Sequence, residues 1–398
     1  MMKKRKIYIR SVGATMVALA LLCISFGSCA NEDVHKGIIS NDGPKPVSFY
    51  LSTIDTDADG TTRGTPSEDL EEPAGIYAYT YVESDAWDDS NGTAPDFMIN
   101  EEIQFAGDGK WVTVNTFDKM PSERFVRYYA YHPFGLDPEV LEVSDENHDN
   151  APLLVYTVPE EVEEQVDLLA GGCINEEDGR TMVFSTDKQN GKEPDKVTLT
   201  LSHLLTAIRF QVGECVETGR IKKITITNVL GKDQYSLQRD ADDYNYEGWE
   251  VRNWGENWDD DFRDFSIELN TQIKLTQKNA GGDVIPQAVT DKTQWLMMIP
   301  QMLSEESEIQ VIYNSGGTDH VLTAEVYNYE WAQGKMVTYT LNIKSLQRLT
   351  VKSSVIPWDE GLRFQDGQPT NATTLDLGAE EVDWDPTDTD IASDDPRD

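Results

Sequence analysis

The segment Val197–Val212, VTLTLSHLLTAIRFQV, alternates apolar and polar residues on both sides of a break at SHLL. Val197, Leu199 and Leu201 share one face before the break, and Ile208, Phe210 and Val212 share one after it. A period of two places successive side chains on opposite faces, which is the geometry of a strand and not of a helix. Similar short runs recur along the chain: VSFYL, GIYAYTYV, KWVTV, RFVRYYAYHPF, LLVYTV, RIKKITITNV, FSIEL, QWLMMIP and KMVTYTLNI. They are rich in aromatic and β-branched residues, and clusters of Gly, Pro, Asp and Asn separate them. In EIQVIYNSGGTDHVLTAEV, Gly316 and Gly317 supply the positive φ that a tight hairpin turn needs. No amphipathic helix of three turns interrupts this pattern. The expected fold class is all-β, with strands stacked in β-sandwiches and no βαβ sheet.

The first residues bear on where such a chain resides. MMKKRKIYIR is basic, and the apolar stretch behind it is too short and too soon ended for a membrane span. It stops at FGSC, which resembles the processing site of bacterial lipoproteins. On that reading residues 1–28 are a signal peptide, and Cys29 is acylated and inserts its lipid into the outer membrane. The other reading is an ordinary secretory signal with Cys29 incidental. Residues 29–45 form a polar linker. The net charge of the whole chain is −39. The signal carries Lys3, Lys4, Arg5, Lys6 and Arg10 and no acid, so its removal leaves the chain still more acidic. Such a surface repels phosphate backbones, and no nucleic acid partner is expected. Residues 361–398 are dominated by Asp, Thr, Glu and Pro and read as an acidic disordered tail. Cys173 and Cys215 either pair or stay as two separate buried thiols.

Little in the sequence looks catalytic. The five histidines stand in no zinc-binding spacing, and there is no nucleophile elbow and no P-loop. No metal, no cofactor and no catalytic residue is expected, and the chain reads as non-enzymatic. DTDADGTTRGTP begins like a calcium loop at Asp55, Asp57, Asp59 and Gly60. Its ninth position is Arg63 and its twelfth is Pro66, where a calcium loop needs a ligand and a bidentate acid. That leaves a polar loop with one arginine at its centre. The segment DDYNYEGWEVRNWGENWDDDFRDF offers Trp249, Trp254 and Trp258 among Asp and Asn, the residue types that stack on sugar rings. Packing of these tryptophans over a sandwich edge is the competing reading.

Several segments, in order, resemble the fimbrillins, the pilin subunits on the surface of anaerobic gut and oral bacteria. They are YYAYHPF (Tyr128–Phe134), VDLLAG (Val166–Gly171), Val197–Val212, LMMIPQML (Leu296–Leu303), YEWAQGKMVTYTLNI (Tyr329–Ile343) and VIPWDEG (Val355–Gly361). The resemblance implies two tandem transthyretin-like β-sandwich domains, at 46–195 and 196–360. It also implies a precursor whose first strand is removed by a trypsin-like surface protease. Arg63–Gly64 is the candidate bond, and Val47, Phe49 and Leu51 are the side chains lost with the strand. A strand of another pilin subunit would then fill the groove by β-strand addition, and Leu349, Val351 and Val355 mark the candidate donor. The function this implies is a structural or accessory subunit of a fimbrium with a role in cell adhesion. The alternative is a glycan-binding surface lipoprotein that does not polymerise.

Overall fold

Alternation in the sequence becomes strand in the computed structural model of the chain. It describes residues 48–56, 62–66, 70, 72–81, 95–115, 125–146, 151–173, 184–185, 197–237, 248–249, 261–290, 294–357 and 373–375. The described residues hold strands, turns and a short 3₁₀ turn at Val162–Glu164, with no α-helix among them. The fold is all-β. No helix among the described residues is long and apolar enough to cross a membrane.

The largest sheet is built from β1 (Ser48–Thr56), β2 (Thr62–Pro66), β3 (Ala74–Tyr81), β4 (Met98–Gly107), β5 (Lys110–Thr113) and β6 (Phe125–His132). To these it adds β9 (Leu169–Gly172), β10 (Phe184–Ser185) and β11 (Val197–His203). The pairing runs β6-β3-β4-β5-β1-β11-β9, and β9 then pairs back to β6, so the strands form a closed ring. β10 adds to β6 and β2 adds to β1 outside the ring. Closure removes the free edges that a sheet of alternating apolar strands would otherwise expose. Every ring strand sends side chains inward. Phe49, Ile76, Met98, Ile103, Trp111, Val126, Tyr128, Leu169, Val197 and Leu199 form one apolar cluster.

Two further groups of strands carry the rest of the chain. β7 (Leu141–Val143), β8 (Leu153–Thr157), β14 (Lys232–Ser236) and β15 (Gly248–Trp249) form a small sheet. In it β8 and β14 pair from Thr157↔Lys232 to Leu153↔Ser236. β12 (Thr206–Cys215) lies beside β25 (Lys335–Ser345), which pairs with β26 (Arg348–Pro357) and through it with β27 (Thr373–Leu375). β19 (Gln287–Ala288) and β20 (Leu296–Met298) add to the other edge of β12. β13 (Gly219–Leu230) lies between β16 (Phe262–Ile273) and β22 (Glu308–Ser315), and β23 (Thr318–Glu325) extends β22. β17 (Gln277–Lys278) with β18 (Val284–Ile285), and β21 (Gln301–Met302) with β24 (Glu330–Trp331), are short ribbons. The β22–β23 hairpin turns at Gly316 and Gly317, with φ of 59° and 86°, as the sequence implies. One large apolar cluster collects Tyr77, Tyr79 and Tyr131 from the ring strands, Tyr156 and Tyr235 from the small sheet, and Phe210, Ile224 and Leu341 from the later strands. It thus draws on residues before and after position 195.

Ring closure depends on two residues without side chains. β9 is hydrogen-bonded on both sides, with Gly171 opposite Leu201 of β11 and opposite Ala130 of β6. A Cβ at Gly171 would lie 1.9 Å from the Thr200 carbonyl oxygen, and one at Gly172 would lie 3.0 Å from the Tyr128 carbonyl oxygen. Glycine is used here for close backbone approach. Gly171→Ala is expected to destabilise the chain by about 3 kcal/mol or more, because the obstacle is backbone and cannot rotate away. The midpoint of a urea unfolding curve measures this, and an unchanged midpoint contradicts the closure described.

Candidate functional site

β1 lies in the ring between two strands that are distant from it in sequence, β5 and β11. It pairs in parallel with β11, from Phe49↔Val197 to Ile54↔Ser202. Its other edge is divided. Ser48–Tyr50 pair with β5, and Ser52–Thr56 pair with β2. The inward side chains are Phe49, fully buried, and Leu51, 4% exposed. Phe49 sits across from Trp111 in the β1–β5 register, and its ring meets Tyr128 edge-on at 5.4 Å with an interplanar angle of 66°. Tyr128 is itself buried, and burial pushes its phenol well above the ordinary range. Each of Phe49 and Leu51 contributes about 1.5–3 kcal/mol by burial. Val47, the third residue expected on this face, lies outside the described residues.

The structure changes the local reading of Arg63. Expected in a loop, it stands in β2 with Asp55 as its register partner, and Gly64 pairs with Ile54. TTRGTP has turn composition, but an edge strand needs only its backbone groups, and β1 offers them a free edge beyond Tyr50. Pro66 ends the strand, where its missing N–H costs least. Asp55, the first residue of the partial calcium loop, is a β1 residue, and the loop's other acids lie outside the described residues. Among the described residues no group of three or more His, Cys, Asp or Glu could hold a metal ion.

The candidate donor strand is part of the chain's own sheet. β26 pairs with β25 from Lys335↔Pro357 to Ser345↔Arg348. Leu349 and Val351, both 6% exposed, join the large cluster, and Val355 packs against it half-buried. The outer edge of β26 is paired with β27, Ser353↔Leu375 to Val355↔Thr373. The tail expected to be disordered from residue 361 on therefore includes a strand at Thr373–Leu375, because backbone pairing to an open edge needs no apolar composition. Of the aromatic segment, Trp249 packs: its indole N–H donates to the Leu204 carbonyl at 2.8 Å, and its ring meets Tyr235 edge-on at 5.3 Å. Trp254 and Trp258 lie outside the described residues, as does Cys29. Cys173 and Cys215 are free, buried thiols in different clusters, and burial pushes the Cys173 thiol up.

The histidines near the ring gather at one end of it. His132 of β6 and His203 of β11 are the register partners of Leu169 on either side of β9. His203 Nδ1 is 2.9 Å from an Asp167 carboxylate oxygen. His132 is 7% exposed, and burial holds its pKa below the ordinary 6.5, opposed by the nearby Glu72 and Asp167. The unfolded chain takes up this proton at a higher pH than the folded one, so this site's contribution to stability falls as pH drops below 6.5. Thermal melts at pH 7 and at about pH 5 should show a smaller loss of Tm for His132→Gln than for the unsubstituted chain. An equal loss in both would remove His132 as the cause.

In sequence comparison, a family model described as Fimbrillin-like matches residues 62–358. The match begins inside the β1–β2 hairpin and leaves β1 outside it. No curated protein matches the chain. A fimbrial protein from Bacteroides vulgatus is similar with a TM-score of 0.48 and 20% identity, over 79% of this chain and 100% of that one. A fimbrial assembly protein from Parabacteroides distasonis gives a TM-score of 0.34 at 8% identity, over 83% of this chain and 99% of that one. The fimbrial anchor protein Mfa2 from Porphyromonas gingivalis gives 0.32 at 8% identity, over 79% and 98%.

Proposed function

The chain belongs to the fimbrillin-like family, and from that premise we propose that it is a surface-exposed subunit of a fimbrium assembled by exchange of its first strand. The observation that carries this reading is the place of β1. It is one wall of a closed ring, it fills the interior with Phe49 and Leu51, and it leads through a single hairpin to Arg63. Cleavage of Arg63–Gly64 would break that covalent link while leaving the rest of the ring intact. Departure of β1 would then open a gap between β5 and β11, with backbone donors and acceptors on both sides and apolar sockets at its floor. An extended segment of another subunit can restore both sets of interactions by β-augmentation.

The reading extends to the termini. Acylated Cys29 would hold the precursor in the outer membrane, and a trypsin-like surface protease would release the chain from its anchored peptide. Because Arg63 lies on a strand paired, among the described residues, only with β1, the protease must wait for β2 to open locally. The product would act in adhesion through its place in the fimbrium and not as an enzyme. The glycan-binding alternative draws no support from Trp249, whose indole N–H and ring are engaged inside the fold.

Limited trypsin digestion of the purified full-length chain should give one early cut, with Gly64 as the new N-terminus by mass spectrometry. Oligomer ladders should follow. Arg63→Gln should remove both the cut and the ladders. Resistance at Arg63, together with glycan affinity that disappears in Trp254→Ala, would favour the glycan-binding reading instead.

A further inference from the structure

We infer that the groove beneath β1 is keyed to an aromatic anchor and takes its replacement strand from a different protein rather than from β26 of a second copy. This rests on the strand-exchange reading above and goes on to name the partner's chemistry. The sockets are unequal. The deeper one is closed by Tyr128 edge-on to the Phe49 ring, with Trp111 on the neighbouring strand and Val197 on the other side. The next inward position holds Leu51, flanked by Leu199. A strand that fits both presents an aromatic side chain and, two residues later, one of leucine size.

β26 does not present that series. Its buried positions at spacing two are Leu349, Val351 and Ser353, the last 1% exposed. A leucine or valine in the Phe49 socket leaves a void against Tyr128, and a serine there adds an unpaired hydroxyl. β26 is also committed elsewhere. Withdrawing it would strip one edge of β25 along the whole register and uncover Leu341 and Ile343. Charge acts in the same direction, since residues 64–398 hold 25 basic against 66 acidic residues and two such copies repel. The partner is therefore an extended segment of a less acidic chain with an aromatic-x-aliphatic pattern.

The test uses the full-length chain, cut by trypsin and then quenched with a trypsin inhibitor. Three labelled synthetic peptides are offered: the 47–56 sequence, its Phe49→Ala version, and the 348–357 sequence. Fluorescence anisotropy should show uptake of the first, with the alanine version weaker by about 100-fold or more. The 348–357 peptide should be comparably weak. Equal affinity of the first two peptides overturns the aromatic anchor. A 348–357 peptide as tight as the 47–56 peptide makes a second copy the occupant and overturns the choice of partner. If the chain is cut at Arg63 and no peptide is taken up, the strand-exchange reading fails and this inference fails with it.

Discussion

The parallel pairing of β1 with β11 is the constraint on which the rest of the ring depends. Without β1, β5 and β11 are both edges, and the cluster around Phe49, Trp111 and Tyr128 loses one wall. The pairing is backbone to backbone over Phe49–Ile54, so it tolerates outward side chains of any kind. Its specificity comes from the inward face, where a shift of one residue would turn Phe49 and Leu51 away from the interior. Backbone pairing gives strength and the two sockets give register.

The outside of the ring is also in use. Tyr77, Tyr79, Tyr81, Tyr129 and Tyr131 project from β3 and β6 into the large cluster, away from the ring's own interior. Tyrosine suits this place because it buries a large ring and keeps a hydroxyl for a partner. Tyr77 donates to the Ser144 carbonyl at 2.6 Å, and Tyr131 donates to the Asn100 side chain at 2.6 Å. The β8–β14 pairing lies in the same region and ties residues before 195 to residues after it by backbone hydrogen bonds. The ring is therefore supported on the β3–β6 side, while none of the β1 residues whose side chains are described belongs to the large cluster.

Much of this was legible in the sequence, for a physical reason. Period-two alternation is local, and it marks β11, β12 and β22 as clearly as it marks β1. The glycine pair at 316–317 announces its hairpin. Pairing between distant strands is not local, and nothing in VSFYL or VTLTL states that these segments run side by side in the same direction. The Gly171-Gly172 pair in VDLLAGG was the available signal for ring closure, since adjacent glycines inside a strand point to close backbone approach. Arg63 and Thr373–Leu375 escaped for a related reason. An edge strand that pairs through backbone alone carries no pattern of its own, and composition misreads it as loop or tail. For Trp249 the sequence carried both readings, sugar stacking and packing, and Tyr235 with the Leu204 carbonyl around it shows packing.

The direction of β1 also has a mechanical meaning. Tension on the chain ahead of Ser48 pulls along the strand axis, and the bonds to β11 lie across that axis. They are loaded in shear and must yield together. The β2 arm is different: tension at its far end, beyond Pro66, peels its pairs with β1 one after another. The same hairpin thus resists a steady pull from its N-terminal side and opens readily from the other. Rupture under such loads is governed by the unfolding rate and not by equilibrium stability.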